Sequence, residues 1–281
     1  MKKHFFLLLI TALLFNACKE IPPVVTGSTG PVVPNDDVKD QRRQVLIEEF
    51  TGVRCVQCPG GSAFIQDLLA IHGQRLVAVS IHAGSFSNPY SINQYDFRTP
   101  EGTQLISYLD QPFGFPSAVI NRTKFPGQFD LQLGQGDWAG YIAQDTAIAP
   151  KVRISIEPEF DISSRELKVN VKLFVDETIA DPSVRLNIMI TESGIEDAQI
   201  TPGSSDPVPN YVHRHVLRHM LTNWDGDPIT ESLGAGTVVQ KNFTYSMPAE
   251  WKEDNCEIVA FVSLAGTSKE VLQAHQVHVV E

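Results

Sequence analysis

Cys55-Val56-Gln57-Cys58 is the one close pair among four cysteines in this 281-residue chain. Two thiols separated by two residues are placed to close a small disulfide. A following helix would stabilise the thiolate of the first through its N-terminal dipole. A four-ligand zinc site needs further Cys or His at suitable spacing. No second CxxC exists, and the nearest histidines, His72 and His82, fall on different elements, so no metal is expected. Glu49 precedes Cys55 by six residues. A buried carboxyl there would relay the proton that the second thiol must lose; the alternative is a solvent-facing acid beside Glu48. Phe115-Pro116 stands just before another apolar run. Proline lacks an N–H and its preceding bond tolerates the cis form, which makes a fixed bend at a strand start.

The elements that must position these groups alternate between strand and helix over residues 43–149. Leu46 to Phe50 reads as a strand and Ser62 to His72 as a helix. Leu76-Val77-Ala78-Val79-Ser80-Ile81 is a continuous apolar run of the kind buried parallel strands show. Gly102 to Leu109 is a short helix, Ser117 to Asn121 a strand, and Asp137 to Ala143 a helix with Asp137 as candidate N-cap. That alternation predicts an α/β layer fold. Both the CxxC and the segment starting His82-Ala83-Gly84-Ser85 follow strands, so a parallel sheet would bring them to one edge, where sites gather. The long connection between residues 83 and 100 carries Phe86, Tyr90, Tyr95 and Phe97. It reads as a lid or peptide-docking surface, or else as a satellite core.

Residues 150–281 have a different pattern. Seven runs alternate with period two or are strand-like: Arg153 to Glu157, Leu167 to Val175, Val184 to Thr191, Tyr211 to Leu221, Val238 to Tyr245, Glu257 to Leu264 and Val271 to Val280. Turn signals such as Asp225-Gly226 and Ala265-Gly266 separate them. Seven short strands predict an antiparallel sandwich of immunoglobulin-like type, with a boundary near Ala149-Pro150. His213 and His215 would share one strand face. With His219 they form a candidate metal set, weighed against a polar outer strand face that also carries Arg214 and Arg218. Cys256 sits in a strand-like run and reads as a buried, inert thiol.

Met1-Lys2-Lys3-His4 followed by the apolar stretch Phe5 to Phe15 reads as an export signal over residues 1–17. Cys18 follows Ala17 and resembles a lipobox cysteine, which would be lipidated as the first residue of the mature chain; the alternative is ordinary signal cleavage near Ala17 with Cys18 unmodified. Residues 18–42, rich in Pro, Gly and Thr, read as a tether. No other segment is long and apolar enough to span a membrane. The chain carries 22 basic and 33 acidic side chains, and excluding Lys2 and Lys3 leaves net −13. That balance argues against a nucleic-acid partner. Export permits stable disulfides.

Residues 45 to 58 together with Phe115-Pro116 resemble a thioredoxin-like domain. The resemblance implies Cys55 as exposed nucleophile, Cys58 as resolving thiol, Pro116 as the cis-proline that shapes the substrate groove, and Glu49 as the buried acid. The sequence departs from that family at Arg54, Val56-Gln57 and Pro59. Over nearly its whole length, the chain is similar to the outer-membrane-protein-28-related lipoproteins of Bacteroidetes. The segment Glu48-Glu49-Phe50-Thr51-Gly52-Val53-Arg54-Cys55-Val56-Gln57-Cys58-Pro59 carries that similarity, supported by the signal and by Tyr211 to Arg218 in a C-terminal β-domain. It implies outer-membrane attachment through a lipid anchor and a thioredoxin-like plus immunoglobulin-like architecture. Two functions follow as expectations. One is thiol–disulfide exchange, without a cofactor, with exported proteins or peptides that bear thiols or disulfides. The other is non-catalytic surface binding or adhesion with a structural Cys55–Cys58 disulfide.

Overall fold

A computed structural model describes residues 36–280. The export signal, Cys18 and most of the tether lie outside the described residues. In chain order the elements are α1 (Asp36–Lys39), β1 (Val45–Thr51), α2 (Cys58–His72), β2 (Leu76–His82), α3 (Pro100–Tyr108), β3 (Ser117–Ile120) and α4 (Gln135–Thr146). There follow β4 (Val152–Asp161), β5 (Glu166–Val175), β6 (Arg185–Glu192), β7 (Ile195–Gln199), β8 (Val208–His213) and β9 (Val216–Met220). The last are β10 (Asp227–Pro228), β11 (Val238–Ser246), β12 (Cys256–Ser263) and β13 (Val271–His278). The protein is mostly β-sheet with a few helices.

The apolar runs of β1 and β2 are buried along their whole length and pair in parallel, Val45 with Leu76 through Thr51 with His82. Their carboxyl ends therefore meet at one sheet edge. β3 adds antiparallel to β1. α2 starts at Cys58, with Pro59 in its first turn, where a missing N–H costs nothing. It ends at Gly73, whose φ of 55° suits glycine. α3 is capped by the Thr99 side chain, which accepts from the Gly102 N–H. α4 begins two residues earlier than Asp137, with Gly134 at the cap; Asp137 sits in the first turn instead.

The strands after residue 150 form a sandwich and extend the first sheet. β4, β5 and β11 make a three-stranded antiparallel sheet. In β5 the buried residues Leu167, Val169, Val171 and Leu173 alternate with outward Lys168, Asn170 and Lys172. That buried face packs on the sandwich core with Ile188 and Ile190 of β6 and Ile258 and Ala260 of β12. The other sheet runs β13-β12-β6-β9-β2-β1-β3, with β10 paired to β6. Strands from both sides of Ala149-Pro150 thus share one sheet, joined where β9 meets β2 at Val216 and Ser80.

The stretch read as one strand from Tyr211 to Leu221 is broken. β8 ends at His213, His215 takes a φ of 53°, and β9 restarts at Val216. β8 pairs with β7 in a separate hairpin, whereas β9 joins the large sheet. The last residues of the expected tether are anchored to the sandwich: Val38 is buried, and Gln41 exchanges two hydrogen bonds with the Ile154 backbone.

Candidate functional site

Cys55 and Cys58 are disulfide-bonded, at the point where β1 gives way to α2. Cys55 lies in the loop after β1, and Cys58 opens the helix. Behind them, Glu49 points under the first turn of α2. Its Oε2 accepts from the Ser80 hydroxyl at 3.0 Å and from the Ser62 hydroxyl at 3.4 Å. Its Oε1 has no hydrogen-bond partner. The Phe115–Pro116 peptide bond is cis. Pro116 and Glu49 meet at Gly61: a Cβ there would lie 2.8 Å from the Pro116 ring and 2.9 Å from Glu49 Oε1. Only glycine lets helix, proline and carboxyl close up.

Neither glutamate is solvent-facing. Glu48 and Glu49 are both fully buried, on opposite faces of β1. Glu48 forms a two-point ion pair with Arg122, at 2.8 and 2.7 Å, and the guanidinium lies over the Phe261 ring of β12. Glu49 has only hydroxyls for company. Burial pushes its pKa up to about 7, against the smaller opposing effect of the Ser80 and Ser62 hydrogen bonds. A carboxyl balanced near neutrality can both give and take a proton.

The disulfide is not open to solvent: Cys55 is 3% exposed and Cys58 1%, while Val56 between them is 42% exposed. This differs from the exposed first cysteine that the thioredoxin resemblance implies. Two elements cover the pair. The connection after β2 lies against the CxxC loop, where Arg54 N–H donates to the Phe86 carbonyl and the Arg54 side chain to the Asn88 and Pro89 carbonyls. The β7–β8 hairpin covers the other side. Ile200 N–H donates to the Val53 carbonyl, and the Gln199 amide to the Cys55 carbonyl. A polar cavity of about 10 Å³, room for about one water, lies beside Cys58 between Ser62, Ser80, His82, Tyr211 and His213.

Most aromatics of the 83–100 connection form a satellite core. Tyr90, Tyr95 and Phe97 pack with Val53, Ile195 and Val216. Asp197, buried on the hairpin, accepts backbone N–H bonds from Gln94 and Tyr95 and so ties connection and hairpin together. Phe86 alone turns outward, edge-on to Phe115 at 5.3 Å. Phe113 and Phe129, 85% and 79% exposed, form a second edge-on pair at 5.7 Å. The Phe86–Phe115 and Phe113–Phe129 pairs thus put exposed aromatic surface on the chain that leads into and past Pro116.

His213, His215 and His219 do not converge. His213 is buried against His82 and Phe97, with ring centroids 5.6 and 4.7 Å away. His219 pairs with Glu101 and stacks on Tyr245. Among the described residues, no group of three His, Cys, Asp or Glu side chains could hold a metal ion. Cys256 is fully buried, and burial above all pushes its thiol up to about 12, so it stays protonated. Sequence reasoning missed Ser62, Ser80, Gln199 and Tyr211. The two serines were legible in principle, being one helical turn past Cys58 and opposite Glu49 in the parallel pair. Gln199 carries no sequence signal, and Tyr211 entered only as the start of a strand-like run; nothing local ties either to the pair, since both lie more than 140 residues downstream of it.

A disulfide at a strand-to-helix junction, packed into one sheet with a β-sandwich, defines the class of protein. The chain belongs to the Omp28 family: the model described as outer membrane protein Omp28 matches residues 103–281, a span that begins beyond the disulfide. Membership places the protein at the outer membrane of the cell envelope. Among solved structures, HBP35 of Porphyromonas gingivalis has a similar fold. It shows a TM-score of 0.68 and 19% identity, with 84% of this chain and 75% of that chain covered. Protein AGR_C_4864 from Agrobacterium tumefaciens matches with a TM-score of 0.52 and 11% identity, over 86% of this chain and 96% of that one. A domain of the outer membrane lipoprotein Omp28 from Porphyromonas gingivalis matches at 20% identity, over 46% of this chain and 88% of that one, with a TM-score of 0.32. No relative was found among curated proteins. Among the described residues, no helix is long and apolar enough to cross a membrane.

Proposed function

We propose that the protein is a lipid-anchored thiol–disulfide exchange protein of the outer membrane, with Cys18 as the lipidated residue. Its first half is read as a thioredoxin-like domain and its second as an immunoglobulin-like sandwich. The observation that carries the reading is the meeting of three features at one sheet end: the Cys55–Cys58 disulfide, the buried Glu49, and Pro116 against Gly61. A carboxyl raised to about 7 behind the pair suits proton transfer to and from a thiol.

Each group then has a role. A client thiolate attacks Cys55 Sγ, the Cys55–Cys58 bond breaks, and Cys58 leaves as a thiolate that takes a proton from Glu49. The client's second thiolate attacks the client sulfur of the mixed disulfide, and Cys55 leaves as a thiolate stabilised by the start of α2. The client loses two electrons and the pair gains them. Run backwards, the same steps reduce a client disulfide, with Glu49 accepting the Cys58 proton. Clients are exported proteins or peptides bearing thiols or disulfides. The exposed Phe113–Phe129 pair and the outward Phe86 against Phe115 support a polypeptide client, since exposed apolar surface marks interaction sites.

The test is a trap. Reduced Cys58→Ala should accumulate a mixed disulfide through Cys55 with exported proteins or with a peptide disulfide, read on non-reducing gels. A folded variant that traps neither sinks the proposal. The burial of both cysteines favours a second reading, in which the disulfide is permanent and the protein binds a surface partner. A reduction potential well below roughly −300 mV, the range of structural disulfides, would support that alternative.

A further inference from the structure

We propose that Gln199, on the β7–β8 hairpin, is a positioning residue that sets the redox equilibrium of the Cys55–Cys58 pair. This rests on the pair being exchangeable, as argued above, but not on the identity of any client.

The CxxC loop is built from two overlapping turns. Cys55 N–H donates to the Gly52 carbonyl at 3.0 Å, and Cys58 N–H donates to the Cys55 carbonyl at 3.3 Å. The acceptor carbonyl of each turn is also held by one amide. Gln199 Nε2 lies 3.1 Å from the Cys55 carbonyl and 3.4 Å from that of Gly52, with its third contact to the Ile200 carbonyl at 3.0 Å. Gln199 is 2% exposed, so these bonds form away from competing water. The neighbouring Ile200 N–H donates to the Val53 carbonyl at 3.0 Å, which fixes the hairpin backbone against the same loop. The hairpin is held in turn by the buried Asp197. Gln199 therefore cannot drift without the loop, nor the loop without Gln199.

The chemical consequence follows from what makes a disulfide. Exchange with glutathione converts the protein disulfide and two glutathione thiols into the protein dithiol and glutathione disulfide, two electrons and two protons moving together. How far the reaction runs depends on how closely the two protein thiols are held when reduced, that is, on their effective concentration. The Gln199 clamp acts on the backbone of both turns, whichever oxidation state the sulfurs are in. It keeps the dithiol preorganised to re-form the disulfide and so holds the potential on the reducing side. The second half of the chain thereby becomes part of the redox site.

The test uses the whole protein in glutathione buffers, with the fraction oxidised read by thiol alkylation and mass. Gln199→Met keeps the length and removes the donor. It should shift the equilibrium towards the dithiol by about tenfold, which for two electrons is about 30 mV more oxidising. Gln199→Glu keeps the shape but, once ionised, offers only acceptors to the Cys55 and Gly52 carbonyls. It should shift the equilibrium in the same direction as Gln199→Met and at least as far. An unchanged potential in a folded Gln199→Met protein, or a folded Gln199→Glu protein whose potential is unchanged or moves the other way, overturns the inference. If Gln199→Met fails to fold, Gln199→Glu decides alone. A natural protein whose folded disulfide does not exchange at all refutes the redox function itself. An exchanging pair indifferent to Gln199 refutes only this inference.

Discussion

Glu48 and Glu49 are adjacent acids with opposite environments, because successive strand residues point to opposite faces. Glu48 finds a guanidinium, while Glu49 finds two hydroxyls and an unpaired oxygen. The difference has a measurable pH signature. Glu49 is raised from 4.5 to about 7 in the folded protein, so the native state holds a proton that the unfolded chain has already lost. Its contribution is therefore fully present below pH 4.5 and is lost as pH rises through 7. Between pH 5 and pH 8 it should cost the protein about 2–3 kcal/mol of stability. Urea unfolding of Glu49→Gln should show that decline removed relative to the natural protein, with the variant gaining at the alkaline end. A parallel pair of pH curves would mean that Glu49 is not the titrating group. The sequence marked Glu49 by its distance from Cys55, but nothing in the sequence separated it from Glu48.

The break between β8 and β9 shows how an element-scale pattern misleads. Alternation continues through Tyr211 to Leu221, yet His215 turns left-handed and its carbonyl accepts from Ser80 N–H of β2. One half of the run is thus free to leave the sheet as a hairpin over the disulfide, while the other half stays in it. The hairpin is acid-sensitive by construction. His213 is lowered to about 4, chiefly by burial and against the opposing pull of Asp197; His82 beside it is also lowered, by burial, His213 and Arg218. For a base with a depressed folded pKa, stability is present above the unfolded value of 6.5 and is lost as pH falls towards 4. Between pH 7 and pH 4.5, His213 should account for about 2 kcal/mol of lost stability. His213→Phe should be spared that loss in urea unfolding at the two pH values. Equal losses in variant and natural protein would place the acid sensitivity elsewhere.

At the scale of the molecule, one core crosses the boundary that composition suggests at Ala149-Pro150. Phe50, Val77, Val79 and Ile81 pack with Met189, Leu217, Val259 and Phe261. Arg122 and Glu48, buried under the Phe261 ring, sit at the same junction. Leaving either charge there without the other would cost roughly 3–5 kcal/mol. A fragment ending at Ala149 would expose the β2 edge and the apolar residues that β6, β9 and β12 cover. We expect residues 36–149 alone to lack a cooperative thermal transition, while the whole protein unfolds in a single one by calorimetry. A fragment that melts cooperatively near the full-length temperature would show two independent cores. The sandwich itself was legible because each strand buries one face and wets the other. The union of the two halves was not, because β9 reads the same whether it pairs with β2 or with another sandwich strand.

The sequence by itself determined what local spacing and periodicity can determine. It marked the cysteine pair at a strand-to-helix junction, the proline before β3, the parallel β1–β2 run, and six of the seven sandwich strands it listed. Each depends on residues within a few positions of one another, where dihedral preference, alternation and turn chemistry act directly. Only the tertiary structure decided which acid is buried unpaired, that the disulfide is covered rather than open, and that Gln199 grips its loop. Those facts depend on contacts between separate elements, from 31 positions apart for Glu49 with Ser80 to 144 for Gln199 with Cys55. Neither alternation nor composition encodes which distant carbonyl a buried amide will find.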